Sequence, residues 1–399
     1  MNCDPWLIII GMDGGGYDRL SSDAQHHIQT ATIIIGPKRH LSMLPAVSAT
    51  LHEWPVPFAD GIDMVMAKRG TPCVMLVSGD PFWFGGGSTI TSHLTQDEWH
   101  AIPGQSCFSL AASEIGWPLE QVICLGLHAA PLSRLRPHLS PGQKIMATMR
   151  DGAAVQDLMA YLSDIGFGDT KVITLASLGD SDKTIIEGKA DLLHDISVSH
   201  PVMVALSCAG SGQVMPRTSG LADDWFAHDG QITKSPIRAL TLSALAPCAG
   251  EYLWDLGAGS GSIAIEWLLT GPGMRATAVE KHNSRAATIR HNALTLGVDH
   301  LEVVESDINA AIKRLPKPDC IFIGGGLRDA LLEQLWALMP DGTRLVANGV
   351  TIETDQLLTK AHSRLGGHVM RLESAQLQPI GTMHGWKAAY PITQWSVTK

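Results

Sequence analysis

The chain reads as an α/β protein with two domains in tandem, and three observations predict this. Strand-length apolar runs recur along its 399 residues and alternate with helical patterns, the signature of sheets built from β-α units. Glycine-rich loops follow several of those runs, where the carboxyl ends of parallel strands receive ligands. A polar, glycine-rich stretch from Ser207 to Gly230, carrying Pro216 and Gly220, interrupts the alternation and reads as the linker. The expected layout is a first domain over 1–205, a linker over 206–225 and a second domain over 226–399. Each is long enough to bury its own core.

Trp6 to Ile10 predicts an opening strand that empties into Gly11-Met12-Asp13-Gly14-Gly15-Gly16, and Ser21 caps a helix running to about Ala31. Thr32 to Ile35 is a second strand, closed by Gly36-Pro37, with Lys38, Arg39 and His40 just beyond. Cys73 to Val77 is a third, delivering a loop from Ser78, Gly79, Asp80 and Pro81 through Trp83 and Phe84 to Gly87. Phe108 to Ser113, with Ser109, Leu110 and Ala111, opens a helix that ends near Gly116; its small side chains permit close approach of a flat ligand. Val122 to Leu125 is again a strand, with His128 after it. Lys144 to Thr148, the helix Ala153 to Ile165, Lys171 to Leu175 and Val202 to Leu206 then suggest a second lobe, with a cleft between the two.

The second half centres on one turn. Tyr252 to Leu256 predicts a buried parallel strand, and Gly257, Gly259 and Gly261 follow at alternate positions, with Ala258 and Ser260 between them. A helical pattern through Ile263, Ile265 and Leu268 comes next. The strand Arg275 to Val279 then ends on Glu280, placed to accept hydrogen bonds from ribose hydroxyls. A dinucleotide fingerprint starting at Gly257 needs glycine at position 262, where Ser262 stands, so a nicotinamide-dependent oxidoreductase is disfavoured. The pattern present is D-x-G-x-G-x-G, starting at Asp255. A helix from Ser284 to Leu296 and a strand from Leu301 to Val304 lead to Asp307-Ile308-Asn309. Cys320 to Ile323 ends in Gly324-Gly325-Gly326, and Arg344 to Ala347 ends in Asn348. Val369 to Leu372 and Lys387 to Trp395 are expected to close the sheet as an antiparallel pair. Ahead of the turn, Phe226 to Arg238 reads either as a segment folding over a cofactor or as a connector whose Lys234 and Arg238 are solvated.

Composition narrows the partners. Hydrophobic residues make up 45% and mean hydropathy is +0.10, yet every apolar run is far shorter than the roughly 20 residues a membrane span needs. Asp4, with no basic region before the first apolar run, argues against a signal peptide, so a cytoplasmic location is expected. The 7 cysteines, Cys3 among them, include no C-x-x-C pair, and the 17 histidines show no ligand spacing; reduced core thiols and no metal site are expected. A net charge of −10 without a basic block disfavours nucleic acid, but leaves room for an anionic small substrate held by a few local cations.

On these residues two resemblances rest. The opening strand and glycine turn, Ser78-Gly79-Asp80-Pro81-Phe82-Trp83 and Cys107-Phe108-Ser109-Leu110-Ala111-Ala112 are similar to the tetrapyrrole (corrin/porphyrin) methylase family, and nearest to its precorrin-6Y methylase branch. That resemblance implies a two-lobed class III fold over roughly residues 5 to 205. It places S-adenosylmethionine (SAM) against Gly11, the loop at Gly79, Asp80 and Pro81, and Ser109 to Ala111. The chain departs from the branch in lacking the Glu-Asp pair in its opening turn and in having His128-Ala129-Ala130 where the branch has His-Gly-Arg.

The Asp255 pattern resembles the first motif of class I SAM methyltransferases, which have a Rossmann-like fold. Gln231-Ile232-Thr233-Lys234, Asp255 to Ser262, Phe322 to Gly326, Arg344 to Asn348 and Pro391 to Trp395 extend this to the C15-methylating, decarboxylating domain of cobalamin biosynthesis. The resemblance implies SAM held by Thr233, Asp255, Gly257 to Gly261, Glu280 and the loop at Asp307 and Ile308. Together the halves imply methylation of a polycarboxylate corrin precursor at two ring carbons, with loss of carbon dioxide from an acetate arm, by a homo-oligomer. Lys38, Arg39, Lys234, Arg238 and Arg328 are candidates for the substrate carboxylates, and Asn348 and His384 are polar candidates in the second pocket. The alternative is a catalytic second domain with the first serving for docking or channelling.

Overall fold

The structure, a computed structural model, describes residues 5–399; Cys3 and Asp4 lie outside the described residues. The chain divides into two compact units, one gathering the chain up to Ala130 with His138–Gln213, the other Pro131–Pro137 with Val214–Lys399. The division between Gln213 and Val214 lies within residues 206–225, and a short internal segment groups with the second unit. Arg134 in that segment is anchored by a bidentate ion pair to Asp299, 2.6 Å from Nε to Oδ1.

The first unit begins with β1 (Leu7–Met12), α1 (Ser22–Thr30), β2 (Ile33–Gly36), α2 (Lys38–Leu41), β3 (Thr50–Glu53), α3 (Asp60–Met66), β4 (Cys73–Ser78), α4 (Gly87–Thr91) and β5 (Trp99–Ile102). Its strands form a wholly parallel sheet in the order β3-β2-β4-β1-β5. Both faces of β1 are covered: Leu7 and Ile9 pack into one cluster, Ile8, Ile10 and Met12 into another. That is why the strand reads as an unbroken apolar run. Ser21 caps α1 by accepting from the Ala24 amide.

α5 (Cys107–Ile115), β6 (Ile123–Gly126), β7 (Lys144–Met149), α6 (Gly152–Asp164), β8 (Lys171–Ala176), β9 (Thr184–Lys189) and β10 (Val202–Ser207) follow. They build a mixed sheet in the order β6-β7-β10-β8-β9. β3, β5 and β9 escape the apolar-run criterion. All three lie at sheet edges, and each has polar or exposed positions that a buried strand lacks.

In the second unit come α7 (Ser235–Leu245), β11 (Tyr252–Leu256), α8 (Ser262–Leu269), β12 (Arg275–Glu280), α9 (Asn283–Thr295), β13 (Glu302–Glu305), α10 (Ile308–Ala311) and β14 (Cys320–Ile323). They are followed by α11 (Asp329–Leu338), β15 (Arg344–Gly349), α12 (Ile352–Leu365), β16 (His368–Leu372), β17 (Ala375–Ile380), β18 (Met383–Ala388) and β19 (Ile392–Thr398). The seven-stranded sheet runs β13-β12-β11-β14-β15-β19-β16, parallel through β15 and antiparallel in the last two pairings. The strand order reverses between β11 and β14, which opens a crevice at their carboxyl ends.

The run Lys387 to Trp395 is not one strand. It breaks at Ala389–Pro391, where proline cannot supply a ladder N–H. β18 pairs with β17 in a separate hairpin, and only β16 and β19 close the main sheet.

Candidate functional site

Each unit presents a site at the carboxyl ends of its strands. In the first, β1 and β4 are neighbours in register, Met12 opposite Ser78, so the loops that follow them meet. The contact is backbone to backbone: a Cβ on Gly11 would lie 1.9 Å from Gly79 O and 2.4 Å from Gly104 N. Gly79 turns with φ +61°, in the left-handed region that glycine occupies without strain. Gly11→Ala is therefore expected to push these loops apart and cost more than about 3 kcal/mol of first-unit stability by urea denaturation. A loss below about 1 kcal/mol would contradict the close approach.

Above this floor lies a cavity of about 350 Å³, lined by Asp13, Gly14, Arg39, Ser78, Gly79 and Asp80 and by an apolar, aromatic wall that includes Trp54, Phe58, Trp83 and Phe84. Phe84 has φ +56° and its ring rests 5.5 Å from that of Phe108, which braces the wall. His128 and His200 complete the rim, with the His128 ring 3.1 Å from Thr148 Oγ1. Burial, and then the Arg39 charge, hold His200 below the usual histidine range.

Of the residues expected here, Gly79, Asp80 and Leu110 line the cavity, whereas Gly11 lies beneath it. Pro81 is buried at the root of its loop, its carbonyl accepting from the Gly87 amide. Within α5 the segment Ser109 to Ala111 does not face the cavity as a unit, contrary to expectation. Helical periodicity turns Cys107 and Leu110 to the cavity, Ala111 inward to the core, and Ser109 outward against the Ser106 hydroxyl. Trp54, Phe58, Thr148 and His200 carry no motif, and strands β3, β7 and β10 bring them in.

In the second unit the switch-point crevice is rimmed by the expected turn. Gly257, Gly259 and Gly261 have φ of +78°, +60° and +77°. A Cβ on Gly257 would find only Gly325 O at 3.9 Å and Ile308 Cδ1 at 4.0 Å, and one on Gly259 only Gln231 O at 3.8 Å. The glycine turn, the Ile308 loop, the Gly325 loop and the Gln231 segment thus converge around open space. Glu280 is buried, and its carboxylate accepts from the Gly259 amide at 3.0 Å and the His282 amide at 2.9 Å. Asp307 caps α10 by accepting from the Asn309 amide.

Asp255 is enclosed below the turn. Its Oδ2 accepts from the Ala264 amide at 3.2 Å, and among the described residues Oδ1 has no partner. Burial pushes this carboxyl up to about 7, opposed by the Ala264 hydrogen bond and reinforced by the Glu280 charge. A buried carboxylate oxygen left unmet beside an open glycine turn fits a cationic ligand group.

Three candidates are placed differently from expectation. Arg238 is neither solvated nor substrate-facing. It is wholly enclosed, ion-paired to Glu266 at 2.5 Å and Asp223 at 3.3 Å, and donates to the carbonyls of Thr233 and Leu221. Asn348 is buried in a polar cluster, donating to Thr241 Oγ1 at 2.9 Å and accepting from Gln394 at 3.0 Å. His384 stands exposed on the β17–β18 hairpin. Lys234 is exposed and pairs with Asp223 at 3.2 Å. Asn292, which carried no motif, clamps the lead-in segment to the turn: its amide bonds both backbone groups of Ala227 and the Ser260 carbonyl, each at 2.9 Å. Among the described residues no group of acidic, histidine or cysteine side chains has the arrangement of a metal site, and no helix is long and apolar enough to cross a membrane.

Comparison with known proteins places both units. Residues 7–193 match the model of the Tetrapyrrole (Corrin/Porphyrin) Methylases, and residues 224–399 that of the Precorrin methyltransferase domain. A Sinorhizobium precorrin-6Y C(5,15)-methyltransferase [decarboxylating] is 41% identical over 99% of this chain and 97% of its own. One of the same name from Mycobacterium tuberculosis is 36% identical over 98% of this chain and 100% of its own. A solved structure, the C-terminal domain of precorrin-6Y C5,15-methyltransferase from Rhodobacter capsulatus, is 47% identical over 46% of this chain and all of its own, with a TM-score of 0.45. The chain belongs to the family of the decarboxylating precorrin-6Y C(5,15)-methyltransferases.

Proposed function

We propose that this methyltransferase uses SAM at two separate sites to methylate precorrin-6Y at ring carbons 5 and 15, with loss of carbon dioxide from an acetate arm, yielding precorrin-8X. The first unit, with its tetrapyrrole methylase fold, methylates carbon 5. The second, with a class I methyltransferase fold, methylates carbon 15 and accompanies decarboxylation. The observation that carries the two-site reading is that each unit builds its own open, glycine-floored site at its strand ends. The naming of full-length relatives supports the reaction. A cytoplasmic homo-oligomer is the accompanying expectation.

SAM, when bound, supplies a methyl group on a cationic sulfur. In the second unit Asp255, through its unmet oxygen, Glu280, beside the glycine turn, and the Ile308 loop would hold it, with the two acids complementing its cationic and hydroxyl-bearing parts. In the first, the β1 and β4 loops and Leu110 would enclose it. The reduced macrocycle brings its own nucleophile, an electron-rich enamine-like carbon, so the chain's contribution is alignment and exclusion of water. In the decarboxylation the bond from the acetate methylene to its carboxylate breaks, carbon dioxide leaves, and the electron pair passes into the conjugated ring before protonation. A protein nucleophile is not needed for either step.

Separate disabling of the sites tests this. Gly259→Val adds a side chain at φ +60° into the open second site, and is expected to abolish carbon-15 methylation and carbon dioxide release while leaving methylation at carbon 5. Gly79→Val, at φ +61°, is expected to do the reverse. Loss of both methylations with either variant, each still folded by circular dichroism, would contradict two independent sites.

A further inference from the structure

Among the described residues that line the first-unit cavity, Arg39 is the one arginine or lysine. Neighbouring strands place it. β2 and β4 are adjacent, so Arg39 and His40, on α2 just after β2, stand beside Ser78 at the end of β4. Arg39 Nη2 lies 3.0 Å from His40 Nε2 and 3.5 Å from Ser78 Oγ, and Ser78 Oγ lies 3.4 Å from the same imidazole nitrogen.

His40 is wholly buried, and burial followed by the Arg39 charge pushes it down to about 4. The ring is therefore neutral. For Nε2 to accept from the guanidinium, the proton must sit on Nδ1, which has no partner among the described residues. A neutral acceptor fixes where the guanidinium points without cancelling its charge. Arg69, Arg134, Arg238 and Arg344 are each paired to a carboxylate, whereas among the described residues no carboxylate lies within 4.0 Å of Arg39. Its pKa is lowered by burial, with the Asp180 and Asp13 charges opposing. The acids that share the cavity are engaged by their own loops: Asp13 accepts from the Gly15 amide and Asp80 from the Phe82 amide, each at 2.8 Å.

A partly desolvated, oriented guanidinium with no carboxylate in contact, facing an aromatic wall, suits a flat ligand with an anionic arm. We propose that Arg39 binds a carboxylate arm of the tetrapyrrole in the first-unit cavity and that His40 is the positioning residue that aims its guanidinium. This rests on the first unit being the carbon-5 methylating site.

The test uses the full-length chain, precorrin-6Y and SAM with a ¹³C-labelled methyl, following carbon-5 methylation. Arg39→Met is expected to raise KM for precorrin-6Y by about 10- to 100-fold, the worth of a charged hydrogen bond, with kcat within about threefold and SAM affinity unchanged. Arg39→Lys should fall between, because it keeps the charge and loses the fork. His40→Phe should raise KM by roughly tenfold, and His40→Gln, whose amide oxygen still accepts, should restore most of it. Arg39 is only partly buried and its variants do not depend on refilling a core site, so they decide the matter if His40→Phe fails to fold. A wild-type KM in Arg39→Met, or equal losses in precorrin-6Y and SAM binding, overturns the inference while carbon-5 methylation by the wild type upholds the proposed function. A wild-type chain that never labels carbon 5 overturns both.

Discussion

Replacing Arg238 with methionine is expected to destabilise the second unit by about 3–5 kcal/mol, lowering its melting temperature by about 10 °C, with loss of carbon-15 methylation following the loss of structure. The reason is the number of groups that meet at this side chain. Glu266 accepts from Arg238 and from the amides of Gly220 and Leu221, and Asp223 accepts from Arg238 and the Ser235 amide. The guanidinium also lies over the Phe226 ring, 4.7 Å from its centroid. Removing it leaves a buried carboxylate without its countercharge, and the carbonyls of Leu221 and Thr233 without donors. The double variant Arg238→Met, Glu266→Leu should recover part of the loss, because the stranded charge goes with its partner. Urea denaturation of single and double variants reads this directly. A single variant as stable as wild type, but with weakened precorrin-6Y binding, would return Arg238 to the substrate.

The affinity of the second site for SAM is expected to rise about tenfold per pH unit up to about pH 7 and then level off. Asp255 is raised to about 7 by burial, so below that pH it is protonated and binding a cation must first expel the proton. The same shift acts on folding in the opposite sense. A carboxyl whose folded pKa lies above its unfolded value contributes stability at low pH that is lost as pH rises through about 7, so the ligand-free second unit meets the charged group at a cost. Asp255→Asn keeps the shape and the Ala264 contact on its oxygen, and removes the titration. It should flatten the pH profile, weaken SAM by about 10- to 100-fold at pH 8, and make the ligand-free unit more heat-stable at that pH. Calorimetric titration from pH 5.5 to 8.5 in a full-length Gly79→Val background isolates this site. An unchanged slope in Asp255→Asn would assign the proton to another group.

The second unit was legible because its signals are backbone requirements. Alternate glycines after an apolar strand, an acid at the next strand end and a glycine triplet one crossover later are all fixed by close approach at the switch point, and the fold brings Gly257, Ile308 and Gly325 together. Side-chain roles were less legible. Arg238 looks like a surface charge in sequence because nothing local reveals that Glu266, 28 residues away, will enclose it. Asn348 ends a strand where ligands are usual, yet Thr241 and Gln394 claim it from distant elements. In the first unit the floor at Gly11 and Gly79 was readable, and the aromatic wall was readable only where Trp83 and Phe84 follow the glycine loop. Trp54 and Phe58 come from a region whose edge strand is too short and polar to announce itself.

One chain is proposed to carry out two methylations and one decarboxylation. Supplying the purified full-length protein with precorrin-6Y and ¹³C-methyl SAM, and counting labelled ring methyls by NMR against carbon dioxide released, tests it most directly. Two labelled methyls, at carbons 5 and 15, and one carbon dioxide are expected for each precorrin-6Y consumed. A single labelled methyl at carbon 15 with full carbon dioxide release would contradict this proposal and make the first unit a docking module.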